Sequence, residues 1–202
     1  MATVELFYDF NSPYSYLAQT QLEAIAKRAG ATFVLRPFVL GAVHQAAGTH
    51  SPIETPSKLR WNLLDCVVWA REYGVPFTVP KTFPFSAIKA LRLAVAADEL
   101  GRQRELMRPI FHAAWGEGRD IADAAVLNAV LTGAGFDAAA LLARTESPEV
   151  KARLRANGDE AIARGAYGAP TFFVGEQMIV GNDRLPFVER AAKGEKLYVF
   201  PG

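Results

Sequence analysis

Strand-like runs are confined to the two ends of this chain, and that separation constrains its fold more than any other feature of the sequence. At the front, Thr3 to Tyr8 alternates and is rich in β-formers, and Asp9-Phe10-Asn11-Ser12-Pro13 interrupts it. Tyr16, Leu17, Gln21, Leu22 and Ile25 then recur at helical spacing up to Gly30. Ala31 to Pro37 is a second strand candidate, so the first 37 residues predict a β-α-β unit with a right-handed crossover and parallel strands. At the back, a helix over Ser147 to Arg164 precedes two apolar runs, Ala169 to Val174 and Gln177 to Val180. The Gly175-Glu176 pair between them predicts a hairpin. Gly181-Asn182-Asp183 then caps a last helix, Arg184 to Lys193. Neither end can bury its sheet alone, so the two must combine.

Between the ends, from about Gly41 to Asn157, helices follow one another. Thr55-Pro56 opens one that carries Trp61, Leu64 and Val68 on a face and stops at Gly74. Phe85 to Leu100 and Arg104 to Trp115 are the next two. Asp120 to Leu131 and Asp137 to Arg144 are shorter, each beginning at an aspartate suited to the cap position. The expected architecture is α/β: residues 1–40 and 157–202 form a domain around a central mixed sheet, and residues 41–156 form a large all-helical insertion.

Charge and composition exclude several classes of function. The 22 lysines and arginines nearly balance 21 aspartates and glutamates, so no net field recruits nucleic acid or an anionic membrane. Met1-Ala2-Thr3 runs directly into the first strand, and no apolar stretch reaches spanning length, which gives a cytoplasmic reading. The single cysteine, Cys66, has no partner for an internal disulfide and sits in an apolar helical pattern. It is either a small buried hydrophobe or a nucleophile, with no activating charge evident nearby. His44, His50 and His112 are scattered without ligand spacing, so no metal is expected.

Four motifs stand in order along the chain: Tyr8-Asp9-Phe10-Asn11-Ser12-Pro13-Tyr14-Ser15-Tyr16-Leu17, Trp115-Gly116-Glu117-Gly118, Gly168-Ala169-Pro170-Thr171-Phe172-Phe173 and Gly181-Asn182-Asp183-Arg184-Leu185. Together they resemble the 2-hydroxychromene-2-carboxylate isomerases, a DsbA-like branch of the thioredoxin superfamily related to kappa-class glutathione transferases. The resemblance spans essentially the whole chain. It implies a thioredoxin-like fold, glutathione as cofactor, a small aromatic substrate and a homodimer.

Ser12 stands where redox relatives place the first cysteine of Cys-x-x-Cys, and the tetrad Ser12-Pro13-Tyr14-Ser15 has no thiol at either end. Dithiol exchange through this site is chemically excluded. From the residues alone, Ser12 is an N-cap followed by proline at N1. The resemblance adds a second role, as hydrogen-bond donor to the glutathione sulfur. A free thiol has a pKa of roughly 8.5. A helix N-terminus contributes up to ~2 kcal/mol and a charged hydrogen bond ~1.5–3 kcal/mol, against about 1.4 kcal/mol per pKa unit. Lowering the thiol pKa by one or two units is within that range.

The remaining site residues follow from the resemblance in the same way. Pro170 is either a strand-entry proline or, as in thioredoxin-like proteins, a cis proline facing the active-site helix. The latter leaves the Ala169 backbone free to pair with the cysteinyl part of glutathione. The corner Val180, Gly181, Asn182 and Asp183 would receive the γ-glutamyl end, although Asn182 and Asp183 also suit helix capping. Lys58 either meets a glutathione carboxylate or is a solvated first-turn lysine. His44, Trp61 and Phe83, with Phe85 and Trp115, are candidates to line the pocket of the second substrate. His44 stands where similar isomerases often have lysine, and Phe83 where they often have tyrosine; Thr49 to Thr55 lacks a common asparagine. The implied activity is an isomerase; a glutathione transferase and a non-catalytic binding protein are the alternatives.

Overall fold

The structure, a computed structural model, describes residues 1–198. The front strands β1 (Ala2–Tyr8) and β2 (Ala31–Pro37) pair in parallel, from Ala2 opposite Ala31 to Tyr8 opposite Pro37. Helix α1 (Pro13–Ala29) connects them and ends at Gly30, whose φ of 60° is the left-handed conformation that glycine adopts without cost. The back strands β3 (Thr171–Val174) and β4 (Gln177–Val180) form the expected hairpin. β3 docks antiparallel on β1, with Leu6 opposite Phe172, and the four-stranded sheet has the order β2-β1-β3-β4. This is the mixed sheet of a thioredoxin-like fold, assembled from the two ends of the chain.

Between the strands lie α2 (Leu40–Ala46), a 3₁₀ turn (Pro52–Glu54), α3 (Pro56–Tyr73), α4 (Ile88–Asp98), α5 (Gln103–Phe111), α6 (Ala124–Gly133), α7 (Ala138–Arg144) and α8 (Pro148–Ala163). A final helix, α9 (Leu185–Ala192), follows β4. The 156/157 boundary falls inside α8, a continuous helix whose buried Asn157 donates to the Pro37 carbonyl at the end of β2 (2.9 Å). Insertion and sheet share one hydrophobic core: Val4, Leu6 and Tyr8 of β1 pack in the same cluster as Leu93, Leu106, Trp115 and Leu154. Because side chains alternate along a strand, Phe7 points to the other face and joins Phe38, Val43, Ala161 and Phe173. Its ring meets Phe173 and Phe38 edge-on at 5.5 and 6.1 Å, geometries worth ~0.5–1.5 kcal/mol each beyond buried area.

Several helices depart from the sequence expectation for local reasons. α4 begins at Ile88 because Phe85 is drawn into the core against Trp115. α5 holds Pro109, which has no N–H to donate, and its last turn widens into a π turn over His112–Gly116 that aims Trp115 inward. Asp123 caps α6 through Ala125 N–H, whereas Asp120 closes the turn before it through Ala122 N–H. Asp137 caps α7 as expected, and Ser147 caps α8. The last helix is preceded by a 3₁₀ turn, Asn182–Arg184, and neither Asn182 nor Asp183 makes a capping hydrogen bond. On α3 the face with Trp61, Leu64 and Val68 looks outward, each more than half exposed, while the small residues Cys66 and Ala70 turn in. Among the described residues no helix is long and apolar enough to cross a membrane, and no His, Cys, Asp or Glu cluster is grouped to hold a metal.

Candidate active site

The β1–α1 turn is fixed from three directions. Asp9, 4% exposed, accepts from Asn11 N–H through Oδ1 (2.9 Å) and from Leu40 N–H through Oδ2 (2.8 Å), tying the turn to the start of α2. Burial pushes its carboxyl up to about 6, against the two backbone hydrogen bonds that favour the charged form. From the insertion, the buried Trp115 donates its indole N–H to the Phe10 carbonyl (2.8 Å). That indole stacks on Phe77 at 5.9 Å and meets Phe83 at 5.2 Å. The third fixture is Ser12 itself.

Ser12 is the N-cap of α1, in extended conformation, and only 3% exposed. Its Oγ accepts from Ser15 N–H (3.1 Å) and donates to the Ala169 carbonyl (3.0 Å). The Ala169–Pro170 peptide is cis, and Pro170 in turn accepts from Gly181 N–H through its carbonyl (3.0 Å). Ser12, Ala169, Pro170 and Gly181 are therefore linked in one chain of contacts, although they come from both ends of the sequence. The Ser12 hydroxyl hydrogen and the Ala169 carbonyl, both expected to be free for glutathione, are here each other's partners. In the first turn of α1, Pro13 has no N–H, Ser15 N–H goes to Ser12 Oγ and Tyr16 N–H to the Ser12 carbonyl. Tyr14 N–H is left as the backbone donor that an anion at this helix end can take.

A cavity of about 330 Å³ opens beside Ser12. Asn11, Ser12, Tyr14 and Ala169 form its floor; Leu40 and His44 of α2, Leu59 and Leu63 of α3, Ile53, Phe83 and Tyr167 form its walls. The structure thus brings together Ser12, Ala169, His44 and Phe83. Trp61 and Lys58 lie outside, against a shallow neighbouring hollow that shares Pro52 and Asn62 with the cavity. Phe85 and Trp115 are in the core behind the wall. Burial lowers the His44 imidazole below its ordinary pKa, with Glu54 opposing, which favours its neutral form. Tyr14 donates its phenol to Asp65 of α3 (2.9 Å), and burial, reinforced by the neighbouring Asp65 carboxylate, raises its pKa. Burial pushes the Cys66 thiol up to about 12, which removes it as a nucleophile at neutral pH.

At the far corner, Val180 pairs with Thr171 and Gly181 has a φ of 107°. Asn182 is 1% exposed, and neither side-chain amide atom has a partner. Its backbone carbonyl accepts from the Tyr73 phenol (3.4 Å). Asp183 is half exposed beside Arg184 (3.3 Å). A buried, unsatisfied amide is costly. Asp9, Tyr14 and Asp65 are functional candidates that the sequence did not yield. Tyr14 and Asp65 meet across 51 positions without any motif, while the proximity of Asp9 to Ser12 was the one available signal.

A family model described as a DSBA-like thioredoxin domain matches residues 3–193. The 2-hydroxychromene-2-carboxylate isomerase of Sphingobium xenophagum is 34% identical over 93% of this chain and 96% of its own length. The glutathione S-transferase kappa 2 of Caenorhabditis elegans is 29% identical over 92% and 89%. A solved 2-hydroxychromene-2-carboxylate isomerase superposes with a TM-score of 0.86 at 29% identity, covering 94% of this chain and 93% of its own. A thioredoxin-like frame with serine in place of the redox thiol, matched along nearly its whole length, places this chain in the DSBA-like thioredoxin family, among the enzymes named 2-hydroxychromene-2-carboxylate isomerases.

Proposed function

We propose that the protein is a glutathione-dependent isomerase of 2-hydroxychromene-2-carboxylate, trans-o-hydroxybenzylidenepyruvate or a related aromatic intermediate. The observation that carries this reading is Ser12: a hydroxyl at a helix N-terminus, opposite Ala169, on the floor of an aromatic-sized cavity. When bound, glutathione would supply a thiolate able to add reversibly to the conjugated enone, with the C=C pair shifting toward the carbonyl carbon and the C=O pair onto oxygen, so that the former double bond can rotate before the reverse shift expels the thiolate.

The protein's part is to hold the sulfur as an anion and the enone beside it. Ser12 turns its hydroxyl from the Ala169 carbonyl to the sulfur, giving up a neutral hydrogen bond of ~0.5–1.5 kcal/mol for a charged one of ~1.5–3 kcal/mol. The same rotation frees the Ala169 carbonyl to accept from the cysteinyl backbone N–H, so one movement prepares both contacts. Tyr14 N–H adds a second donor to the anion. Asn182 and Asp183 meet the γ-glutamyl end, with Val180, Gly181 and Pro170 shaping that corner, and Lys58 meets a carboxylate. The exposed Lys58 and the half-exposed Asp183 suit such a ligand. A cytoplasmic setting, where thiols are kept reduced, belongs to the same reading. So does a homodimer, in which a second copy covers the Trp61, Leu64 and Val68 face of α3; Leu64→Lys is then expected to sediment as a monomer.

The test is the ultraviolet absorbance change of trans-o-hydroxybenzylidenepyruvate with and without glutathione, for wild type and Ser12→Ala. Conversion that requires glutathione and collapses in the variant supports the reading; conversion unaffected by either removes it. A kappa-type transferase is the second reading, supported by the kappa relative and by the apolar cavity. Product mass separates them, since a transferase leaves a glutathione adduct.

A further inference from the structure

The first turns of α3 shape the cavity, yet little holds them there. Leu59, Asn62 and Leu63 line the cavity and, being three and four positions apart, share one face of the helix. From Pro56 to Asp65 no side chain is fully buried; Cys66 and Ala70, which are, come after. Among the described residues, side-chain hydrogen bonds join α3 to other elements at two places. At its last residue, the Tyr73 phenol reaches the Asn182 backbone carbonyl across 3.4 Å. At its middle, Asp65 Oδ2 accepts from the Tyr14 phenol at 2.9 Å, a bond to a carboxylate and so one of the stronger kind. Asp65 lies about one helical turn beyond Asn62, where the cavity-lining stretch meets the buried one.

Tyr14 lines the cavity too, but from α1, which Leu17, Leu22 and Ile25 fasten to the core. Its backbone N–H is the donor left beside Ser12, while its phenol is the group fixed to α3. One residue therefore joins the sulfur end of the site to the wall around the second substrate. We propose that Tyr14 and Asp65 are positioning residues for that second substrate: their hydrogen bond fixes the first turns of α3 against α1, and so places Leu59, Asn62 and Leu63 around the aromatic ligand without acting on the sulfur. The proposal rests on the isomerase reading for its chemistry and on the packing of α1 and α3 for its geometry. Without the bond, the binding-competent position of α3 is populated only part of the time, and apparent affinity falls by that fraction. Ser12 and the Tyr14 N–H stay in place, since a change of side chain leaves the backbone donor and the buried face of α1 intact.

The test compares wild type with Tyr14→Phe, Asp65→Leu, the double variant and Asp65→Asn, whose amide oxygen still accepts from the phenol. Amide hydrogen exchange is read without ligand. Calorimetry gives the affinity of 2-oxo-4-phenylbutanoate, a saturated and unreactive relative of the enone. Thiolate absorbance gives the pKa of bound glutathione, and steady-state kinetics with trans-o-hydroxybenzylidenepyruvate are run at saturating glutathione. In Tyr14→Phe and Asp65→Leu, exchange at Leu59, Asn62 and Leu63 should quicken about tenfold while that of α1 is unchanged. Probe affinity should fall, and KM rise, about five- to tenfold, with kcat within about twofold and the glutathione pKa unmoved. The double variant should be no worse than either single one, and Asp65→Asn should keep most of the wild-type affinity. Unchanged exchange and probe affinity in Tyr14→Phe would overturn the proposal. So would a glutathione pKa that moves as the KM does, or an Asp65→Asn variant as impaired as Asp65→Leu. If glutathione neither binds nor changes turnover in wild type, the isomerase reading fails, and exchange and probe affinity still decide whether the pair holds α3 around a ligand.

Discussion

Helices α1 and α3 face each other across the cavity and begin alike, with a hydroxyl residue followed by proline, yet they are held very differently. α1 buries Tyr16, Leu17, Ala18, Leu22 and Ile25 along one side, and its cap Ser12 bonds both to its own helix and to Ala169. α3 buries Cys66 and Ala70, exposes Trp61, Leu64 and Val68, and starts at Thr55 with no side-chain cap bond. One wall of the cavity is thus continuous with the core, while the other is a helix whose fully buried side chains are the small Cys66 and Ala70, with Trp69 and Tyr73 half-buried beside them. On the proposed reading, the first wall carries the group that must be placed to a fraction of an ångström against a sulfur. The second would then carry residues that shape the second substrate. The phenol of Tyr14 on Asp65 is the direct hydrogen bond between the two helices, and Asp9 ties the rigid turn to α2.

The largest effect is expected from breaking the rigid wall at Trp115. Trp115→Ala removes a fully buried ring and the donor to Phe10, and should cost ~3–5 kcal/mol in urea unfolding. Trp61→Ala, an equal change of side chain on the loose wall, should stay within ~0.5 kcal/mol for the monomer. Comparable losses at both positions would remove the asymmetry. Next in size is Ser12→Ala, which should reduce glutathione-dependent turnover by ~10²–10³ through loss of a donor to developing charge. Its effect on stability should be only ~1 kcal/mol, the value of a cap. A variant that loses stability but keeps its rate would make Ser12 a cap and nothing more.

Asp9 sharpens the comparison through pH. Burial raises its carboxyl from 3.8 to about 6, so the folded state holds the proton more tightly than the unfolded chain. Its contribution to stability is fully present below about pH 4 and is lost as pH rises through about 6. Between pH 4.5 and 7.5 wild type should lose about 2 kcal/mol more than Asp9→Asn does. Urea midpoints for both proteins at the two pH values read this directly. Parallel midpoints would place the Asp9 carboxyl in solvent and remove it from the tie between the β1–α1 turn and α2.

What the sequence made legible follows the same division. The sheet and α1 could be read because strand alternation, Pro13 and Gly30 are local signals, and the pairing of the two ends followed because neither half buries a sheet alone. The Ser12–Ala169 neighbourhood was legible only through the family resemblance, since a cap before proline and a proline before a strand do not by themselves bring the two positions together. The hydrogen bond between them was not, because it joins positions 157 residues apart and depends on how the hydroxyl turns. The outward face of α3 was misleading for a physical reason. Apolar spacing marks a face of a helix but not which face the fold covers, and here α1 admits Cys66 and Ala70 because small residues allow close approach. The π turn after Pro109, which brings Trp115 inward, is set by a missing N–H whose consequence appears only when the neighbouring helices are in place.

The smallest effect provides the cleanest control, because the caps of α1 and α3 are chemically alike. Thr55 precedes Pro56 as Ser12 precedes Pro13, and both cap residues have extended backbones, yet Thr55 Oγ1 accepts no hydrogen bond from its helix. Thr55→Ala should therefore change stability by less than ~0.5 kcal/mol, whereas Ser12→Ala should cost ~1 kcal/mol. Thermal unfolding without glutathione isolates this difference from any role in catalysis. Adding glutathione then separates the two further: a ligand that binds the folded state raises the midpoint by mass action, and Ser12→Ala should lose most of that rise while Thr55→Ala keeps it. If Thr55→Ala lost the rise as well, the start of α3 would belong to the glutathione site as firmly as the start of α1, and the two walls would share the work of holding the sulfur and its peptide.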